Sequence, residues 1–187
     1  MAARIINFQP RVALQAAVAL LRDPDDLPQV FTIIEALSFD TLSRIAARFE
    51  ATPGGRALLA GRPDIVTLLA DRAWLAQLPS GSVGRAYLDF VTRENISAEG
   101  IRAAAMTGAT GARRLPPPLD YVFARMRDTH DLWHVVTGFH GDLLGEVALL
   151  SFIFAQTKNP SIAALPRALL NIERCSGRHD RYATSRI

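Results

Sequence analysis

The chain has 187 residues, enough for one globular domain, and its single cysteine, Cys175, excludes an intramolecular disulfide and indicates a reducing, intracellular compartment. About half of the residues are apolar, aromatic residues are sparse, and Ala and Leu dominate, so the composition predicts an all-α fold. The net charge of +3 comes from arginines scattered singly along the chain, since Lys158 is the only lysine, and this pattern argues against a nucleic-acid-binding protein.

The first predicted helix covers residues 12–21, an apolar run that follows Arg4 and Arg11 and so resembles a secretory signal. The run leads directly into the charged stretch 22–26 without a small-residue cleavage site, so we interpret it as an amphipathic helix. It is also a candidate membrane-surface element. No segment reaches the roughly 18–20 uncharged apolar residues of a transmembrane helix, so we expect the chain not to cross a bilayer.

Further helices are predicted between residues 30 and 106. An apolar segment covers 30–37, and Asp40, Asp64, Ser82 and Ser97 are candidate N-caps of the helices that follow them. The helix after Asp40 is predicted to end at Pro53-Gly54-Gly55. A short helix then covers 57–60, and the pattern over 65–78 predicts one continuous helix.

The C-terminal half begins with a predicted surface linker over 107–118, rich in Gly, Arg and Pro, inside a single domain that spans 1–187. A long helix is predicted over 119–136, followed by a break at Gly138 and Gly141, a helix over 143–154 and a last helix over 161–174. Residues 175–187 form a polar tail. The whole pattern predicts one helical domain of roughly eight helices.

Chemistry-bearing residues concentrate around the break at Gly138. His130 and His134 are four residues apart, which places both imidazoles on one face of a helix. Glu146 lies in an otherwise apolar segment, where a carboxylate needs a partner. A straight helix would put it about 18 Å beyond His134, so a shared metal ion requires a turn at 138–141. Asp131 is either an edge ligand or an acceptor that orients an imidazole.

Two histidines and one or two carboxylates with an open position predict a catalytic metal site, for zinc, iron or manganese, in a helix-turn-helix of the C-terminal half. The alternative is a pair of surface histidines beside a solvated aspartate. A zinc peptidase is disfavoured, because Asp131 stands where such enzymes carry a longer glutamate. The His130-Asp131 doublet also resembles HD-type phosphohydrolases, but the further histidine and aspartate that they use are not evident.

With these residues identified, the sequence resembles the Coq4 family of ubiquinone biosynthesis proteins. Its metal-binding pattern is His-Asp-x-x-His followed after eleven residues by Glu, and every position is filled here, by His130, Asp131, His134 and Glu146. The flanking Arg-Met-Arg-Asp-Thr and Leu-Gly-Glu, and the stretch Leu-Pro-Ser-Gly-Ser-Val-Gly-Arg-Ala-Tyr at 78–87, are also similar to the family. The resemblance extends from about residue 12 to residue 170.

The resemblance implies an all-helical peripheral membrane protein with zinc or another divalent cation as its cofactor. The implied activity is metal-dependent C1 decarboxylation of a polyprenyl-hydroxybenzoate precursor, oxidative when a hydroxyl is installed at C1. Zinc cannot take electrons, so the oxidative reaction needs oxygen reacting with an electron-rich ring, or another metal.

The same resemblance implies several partners: the polyprenylated precursor, the membrane surface and other enzymes of ubiquinone biosynthesis, with a homodimer left open. The implied location is the cytoplasmic face of a bacterial inner membrane, or the matrix side of the mitochondrial inner membrane in a eukaryote. The alternative function is a non-catalytic, lipid-binding scaffold that organises the biosynthetic enzymes. Family members usually continue with a further helical stretch where this chain has its polar tail.

Overall fold

The computed structural model describes residues 8–23, 26–37, 40–107, 115–163 and 165, and these residues contain helices and no β-strand. The predicted all-α class is therefore confirmed. The described helices, in chain order, are α1 (Pro10–Arg22), α2 (Leu27–Ala36), α3 (Thr41–Ala51), α4 (Pro53–Gly61), α5 (Ile65–Ala70), α6 (Arg72–Gln77), α7 (Val83–Arg93), α8 (Ala98–Thr107), α9 (Leu119–Asp128), α10 (His130–Thr137) and α11 (Leu143–Thr157).

The described residues form more helices than the roughly eight predicted, first because the segment 65–78 is divided at Asp71. Its side chain accepts a hydrogen bond of 2.9 Å from the backbone N–H of Trp74, as an N-cap residue does. The backbone leaves helical geometry at this residue, with φ −78° and ψ 79°. An aspartate inside an apolar period therefore ends α5 and begins α6.

The sequence Pro53-Gly54-Gly55 begins a helix here, although the sequence pattern predicted that it would only end one. Thr52 adopts an extended conformation and its hydroxyl accepts a 3.0 Å hydrogen bond from the N–H of Gly55. Proline is well suited to the first helical position, where no N–H is needed. Helix α4 consequently starts at Pro53 and not near Ala57.

The predicted long helix over 119–136 is also divided, at Thr129. Its hydroxyl donates to the carbonyls of Arg125 at 2.8 Å and Met126 at 3.3 Å, and its backbone departs from helical values at φ −100° and ψ 5°. Such side-chain bonds compete with the regular ladder of the helix. The division separates α9 from α10, so His130 stands at the first residue of a new helix.

Three groups of buried apolar side chains hold the helices together. One joins α1 and α2 to α11 and to Ile162 and Leu165, a second joins α5, α6 and α7 to the start of α8 and to α10, and a third joins α3 to α9. The second group contains Tyr87 and Phe90 of α7, and Leu132 and Val135 of α10 pack against it. This packing fixes α10 against α7, which positions the histidines.

Several predictions fall partly or wholly outside the described residues. Residues 108–114 of the predicted linker over 107–118 lie outside the described residues. Of the predicted last helix over 161–174, only residues 161–163 and 165 are described, and these four are helical. The polar tail 175–187, with Cys175, lies wholly outside them. Among the residues with described positions, no helix combines the length and the apolar character needed to cross a membrane.

Candidate metal site

The turn predicted at 138–141 is present and reverses the chain between α10 and α11. Gly138 ends α10 with φ 75°, a left-handed conformation that favours glycine, and its N–H donates to the carbonyl of His134 at 2.8 Å. Asp142 caps α11 by accepting a 2.8 Å hydrogen bond from the N–H of Gly145. Gly145 itself lies against the turn, because a Cβ atom there would overlap the carbonyl oxygen of His140.

This return of the chain brings the carboxylate of Glu146 to both histidines. Its Oε1 lies 3.1 Å from His134 Nε2, and its Oε2 lies 3.5 Å from His130 Nε2. The two imidazole rings meet edge to face, with centroids 5.1 Å apart. One ligand atom from each of the three residues falls within 4.8 Å of the others, as a shared metal ion requires.

His134 is held from two sides in a buried position. Its Nδ1 lies 3.2 Å from the carbonyl oxygen of Phe139 in the turn, and the ring stacks on Phe90 of α7 with centroids 5.2 Å apart. Since a carbonyl can only accept, Nδ1 carries the proton and donates it to Phe139. The lone pair or second proton of Nε2 is thereby directed at Glu146, which is the orientation that metal-binding histidines adopt.

The charges of the three residues are strongly coupled. Burial by itself would raise the pKa of Glu146, but the hydrogen bonds and charges of His130 and His134 lower it to about 2. Burial would likewise lower the pKa of His134, yet the hydrogen bond to Glu146 and its negative charge outweigh this and raise it. The carboxylate is therefore ionised at neutral pH, and a cation, whether a proton on His134 or a metal ion, is favoured beside it.

Asp131, the fourth predicted ligand, is not brought into this group. Its side chain is buried, and burial raises the pKa of its carboxyl. The charges of His130, His134 and Glu146 all affect the pKa of that carboxyl, so Asp131 interacts electrostatically with the site. Its oxygens do not belong to the group of candidate ligand atoms. Burial raises the pKa of the nearby Tyr87 hydroxyl to about 12, with a further contribution from the charge of Asp131.

The donor set fits a divalent transition-metal ion. Two imidazole nitrogens and one carboxylate oxygen are the ligands of many catalytic zinc sites, which keep a further position for water or substrate. The side chain of Glu146 is 35% exposed, so the site is open to solvent on one side. His140, the third histidine of the region, is exposed and does not join the three-residue group.

Two elements of the site were not predicted from the sequence: the stacking of Phe90 and the carbonyl of Phe139. Phe90 is forty residues before His130 and belongs to another helix, so no local spacing relates it to the histidines. The backbone of Phe139 has no residue-type signal. The glycine pair at 138 and 141 predicted a tight turn, but not which carbonyl of that turn would contact His134.

Comparison with known proteins places the chain among proteins of ubiquinone biosynthesis. A family model described as coenzyme Q (ubiquinone) biosynthesis protein Coq4 matches residues 6–179. The mitochondrial COQ4 homologue of Danio rerio is 31% identical over 166 residues, which are 87% of this chain and 59% of that protein. Mitochondrial COQ4 of Coprinopsis cinerea is 31% identical over 158 residues, 80% of this chain and 50% of that protein. The chain thus spans between half and three fifths of these two relatives.

A solved structure supports the same fold. The crystal structure of a Nostoc punctiforme protein, described as a ubiquinone biosynthesis protein, superposes with a TM-score of 0.54 at 24% identity and covers 88% of this chain and 72% of that one. That identity supports a shared fold and nothing finer. Because the family model extends over nearly the whole sequence, the chain belongs to the Coq4 family of ubiquinone biosynthesis proteins.

Proposed function

We propose that the protein binds one divalent cation through His130, His134 and Glu146 and acts in ubiquinone biosynthesis as a decarboxylase. Its substrate is a polyprenyl-hydroxybenzoate, from which it removes the C1 carboxylate. In the oxidative form of the reaction dioxygen and water are consumed, a hydroxyl replaces the carboxylate, and carbon dioxide and hydrogen peroxide are released. Family membership supports the pathway, and the three-residue site supports the metal dependence.

The observation that carries this proposal is the convergence of Glu146 on both histidines across the turn. Surface histidines beside a solvated carboxylate would not be buried, yet His134 is 1% exposed and has both ring nitrogens directed at acceptors. Burying a charged pair is costly unless it is well bonded or serves a further purpose. Binding of a cation is the purpose that this donor set serves best.

A divalent ion held there would act as a Lewis acid that attracts a carboxylate or phenolate oxygen of the substrate. Zinc or a similar ion suits the two nitrogen donors. The protein's own part is to fix the ligands: Phe139 sets the tautomer of His134, and Phe90 fixes the plane of its ring. Asp131 stays a predicted member of the site, because its carboxylate interacts with all three ligand charges.

Exposed apolar side chains surround the same helix pair and suit an isoprenoid tail. Trp133 and Val136 of α10 and Leu144 of α11 are 39%, 60% and 69% exposed. Trp133 also contacts Phe152, with ring centroids 5.8 Å apart. A polyprenyl chain could lie along these residues while its head group reaches the metal, and such a substrate would keep the protein at a membrane surface as a peripheral protein.

The proposal is tested with purified protein, a divalent metal, oxygen and a short-tailed carboxylated precursor, with products identified by mass spectrometry. Wild-type protein should convert the precursor, and Glu146→Ala should lose both bound metal and turnover. His140→Ala is the matched control, because it removes an exposed histidine outside the group. If folded, metal-free Glu146→Ala protein converts the precursor at the wild-type rate, the catalytic proposal is wrong.

The exposed face of α1 favours a second candidate function, a lipid-binding scaffold for other ubiquinone-pathway enzymes. Leu14 and Val18 are 66% and 39% exposed, one turn apart, and the exposed Arg11 and Arg22 flank them. An apolar strip between arginines suits an anionic membrane surface. A scaffold predicts that Leu14→Asp abolishes ubiquinone production in cells that depend on this protein, whereas Glu146→Ala leaves it intact. The reverse result favours the enzyme.

A further inference from the structure

A second polar site lies between α5, α8 and α9, separate from the three metal-binding candidates. It is a cavity of about 250 Å³, and its walls include Arg62, Asp64, Arg102, Tyr121, Arg125 and Asp128. The walls that carry no charge are apolar, formed by Pro63, Ile65, Ala124 and the ring of Tyr121. A cavity of this volume holds a small organic molecule or several waters.

The carboxylates of this cavity already have their full complement of cationic partners. Asp64 forms a bidentate ion pair with Arg102, with N···O distances of 2.6 and 3.1 Å. Asp64 also caps α5, because its carboxylate accepts a hydrogen bond from the N–H of Val66. The hydrogen bond from Arg102 and its charge lower the pKa of Asp64 to about 2, even though burial opposes this. Asp128 accepts from Arg102 at 2.8 Å and from Arg127 at 2.7 Å. The cavity therefore offers little to a metal cation.

Two arginines of the cavity lining, by contrast, have N–H donors without an acceptor among the described residues. The Nε of Arg102 is buried and has no hydrogen-bond partner, because its two terminal nitrogens hold the aspartates. Arg125 lines the cavity, and among the described residues its guanidinium has no ion-pair or hydrogen-bond partner. Arg62 is paired with Asp120 and lies over the ring of Tyr121, 5.5 Å from its centroid.

The charge balance agrees with this count of donors. Three arginines and two aspartates line the cavity. Asp120, which pairs with Arg62, and Arg127, which pairs with Asp128, bring the count to four arginines and three aspartates, so one positive charge has no partner among the described residues. Guanidinium groups bind carboxylates and phosphates through paired N–H bonds, and such charge-assisted bonds are stronger than neutral ones.

We propose that this cavity binds a small oxyanion, a phosphate or a carboxylate, with Arg125 as its principal partner and the apolar walls contacting the rest of the ligand. The oxyanion replaces the missing acceptor of the arginine cluster. This site is independent of the proposed metal chemistry, since none of its residues belongs to the group of His130, His134 and Glu146.

The test uses the full chain, stripped of metal with a chelator and desalted, so that no anion can bind through a metal ion. Inorganic phosphate and benzoate are titrated in separate experiments at low ionic strength, and binding is followed by the NMR signals of the arginine Nε–H groups. We expect saturable shifts of the Arg125 signal, with a dissociation constant in the millimolar range. Saturation by phosphate alone supports a tetrahedral ligand, and saturation by benzoate alone supports a planar carboxylate.

Variants make the assignment specific. Arg125→Gln should weaken binding about tenfold or more, because it removes a charge-assisted contact. Arg125→Lys should weaken it less, because the charge remains. Arg56→Gln, which removes an exposed arginine of α4, is the matched control and should bind as the wild type does. Circular dichroism and thermal melting verify that each variant is folded.

The proposal is overturned if neither anion shifts the Arg125 signal up to tens of millimolar, or if Arg125→Gln binds as tightly as the wild type. A shift of equal size in Arg56→Gln and wild type supports the assignment. An equal loss in Arg56→Gln and Arg125→Gln would show that only net charge matters, and would also overturn it.

Discussion

At the scale of single residues, His134 has the most constrained side chain of the candidate metal site. It is buried, its Nδ1 faces the carbonyl of Phe139, its Nε2 faces Glu146, and its ring stacks on Phe90. These contacts together fix the orientation of the imidazole ring. Such preorganisation lowers the cost of binding, because little side-chain freedom remains to be lost.

The raised pKa of His134 predicts how metal affinity depends on pH. A metal ion must displace the proton on Nε2, and a raised pKa keeps that proton bound to higher pH. Affinity for a divalent ion should therefore fall as the pH decreases through the raised pKa, measured by calorimetric titration between about pH 6 and pH 9. Affinity that is constant over this range would contradict the assignment of His134 as a ligand.

The metal-free protein should show the opposite dependence in its stability. A group whose pKa is raised on folding stabilises the fold fully below its unfolded pKa, about 6.5 for histidine, and this stabilisation is lost as pH rises through the folded value. Chelator-treated protein should thus unfold at lower temperature as the pH rises above about 6.5. Glutamine has no titratable side chain, so the melting temperature of His134→Gln should not show this part of the decrease with pH.

Phe90 should contribute to metal binding although it supplies no ligand. Its ring stacks on His134 and has the guanidinium of Arg93 5.5 Å from its centroid on α7. Phe90→Leu removes the stacking, and we expect metal affinity to fall by roughly two- to tenfold in calorimetric titrations. An unchanged affinity in folded Phe90→Leu protein would show that the turn alone orients His134.

The candidate ligands could be identified from the sequence because their types and spacing suit metal binding. A histidine pair four apart and a glutamate in an apolar segment predicted that the three residues meet if the chain turns at 138–141, and they do meet. The position of Asp131 could not be predicted, because its direction depends on how α10 packs against α7. The same packing decides the contact of Phe90, which lies on a different helix.

At the scale of secondary-structure elements, the turn between α10 and α11 determines whether the site exists. Gly138 supplies the left-handed residue that ends α10, and Gly145 lets the first turn of α11 lie against the backbone of His140. Any side chain at position 145 would push α11 away from the turn. Glu146 is the next residue, so displacement of α11 moves the carboxylate directly.

Gly145→Ala should therefore destabilise the fold and weaken metal binding together. The added methyl group would overlap the His140 carbonyl oxygen, and overpacking of this kind costs roughly 1–3 kcal/mol, measured by chemical denaturation. Gly54→Ala is the matched control, because a Cβ atom there meets nothing within 4 Å. The free energy of unfolding of the Gly54→Ala control should be unchanged or slightly larger than that of the wild type. Equal effects of the two substitutions would remove the special role assigned to the turn.

Helix existence was predicted more accurately than helix boundaries. The apolar period identified the helical segments, but Asp71, Thr129 and Pro53 each changed where a helix begins or ends. In all three cases a side-chain hydrogen bond or a fixed proline φ decides the boundary locally, and at Asp71 and Thr129 the hydrophobic period continues across it. A periodic pattern alone therefore predicts one helix where a capping residue makes two.

At the scale of the whole molecule, the candidate site joins parts of the chain that pack in different apolar groups. Helix α10 packs with α7, whereas Leu149 and Leu150 of α11 are buried and Leu150 packs with α1 and α2. A metal ion would link α10 to α11 and thereby link these two groups. The sequence predicted a single all-helical domain, but this linkage became evident only from the packing.

Metal binding should consequently stabilise the whole fold. At a free-ion concentration one hundred times the dissociation constant, ligand binding contributes about 2.7 kcal/mol, which corresponds to a rise in melting temperature of roughly 5–10 °C for a chain of this size. Differential scanning calorimetry with and without a chelator measures this shift. Glu146→Ala protein should show little or no shift at the same ion concentration.

The most direct test of the central claim, that His130, His134 and Glu146 hold one divalent ion, is a calorimetric zinc titration of wild-type and Glu146→Ala protein. We expect one ion per chain for the wild type and no saturable binding for the variant at the same concentrations, with both proteins folded by circular dichroism. Equal affinity and stoichiometry in the two proteins would contradict the site.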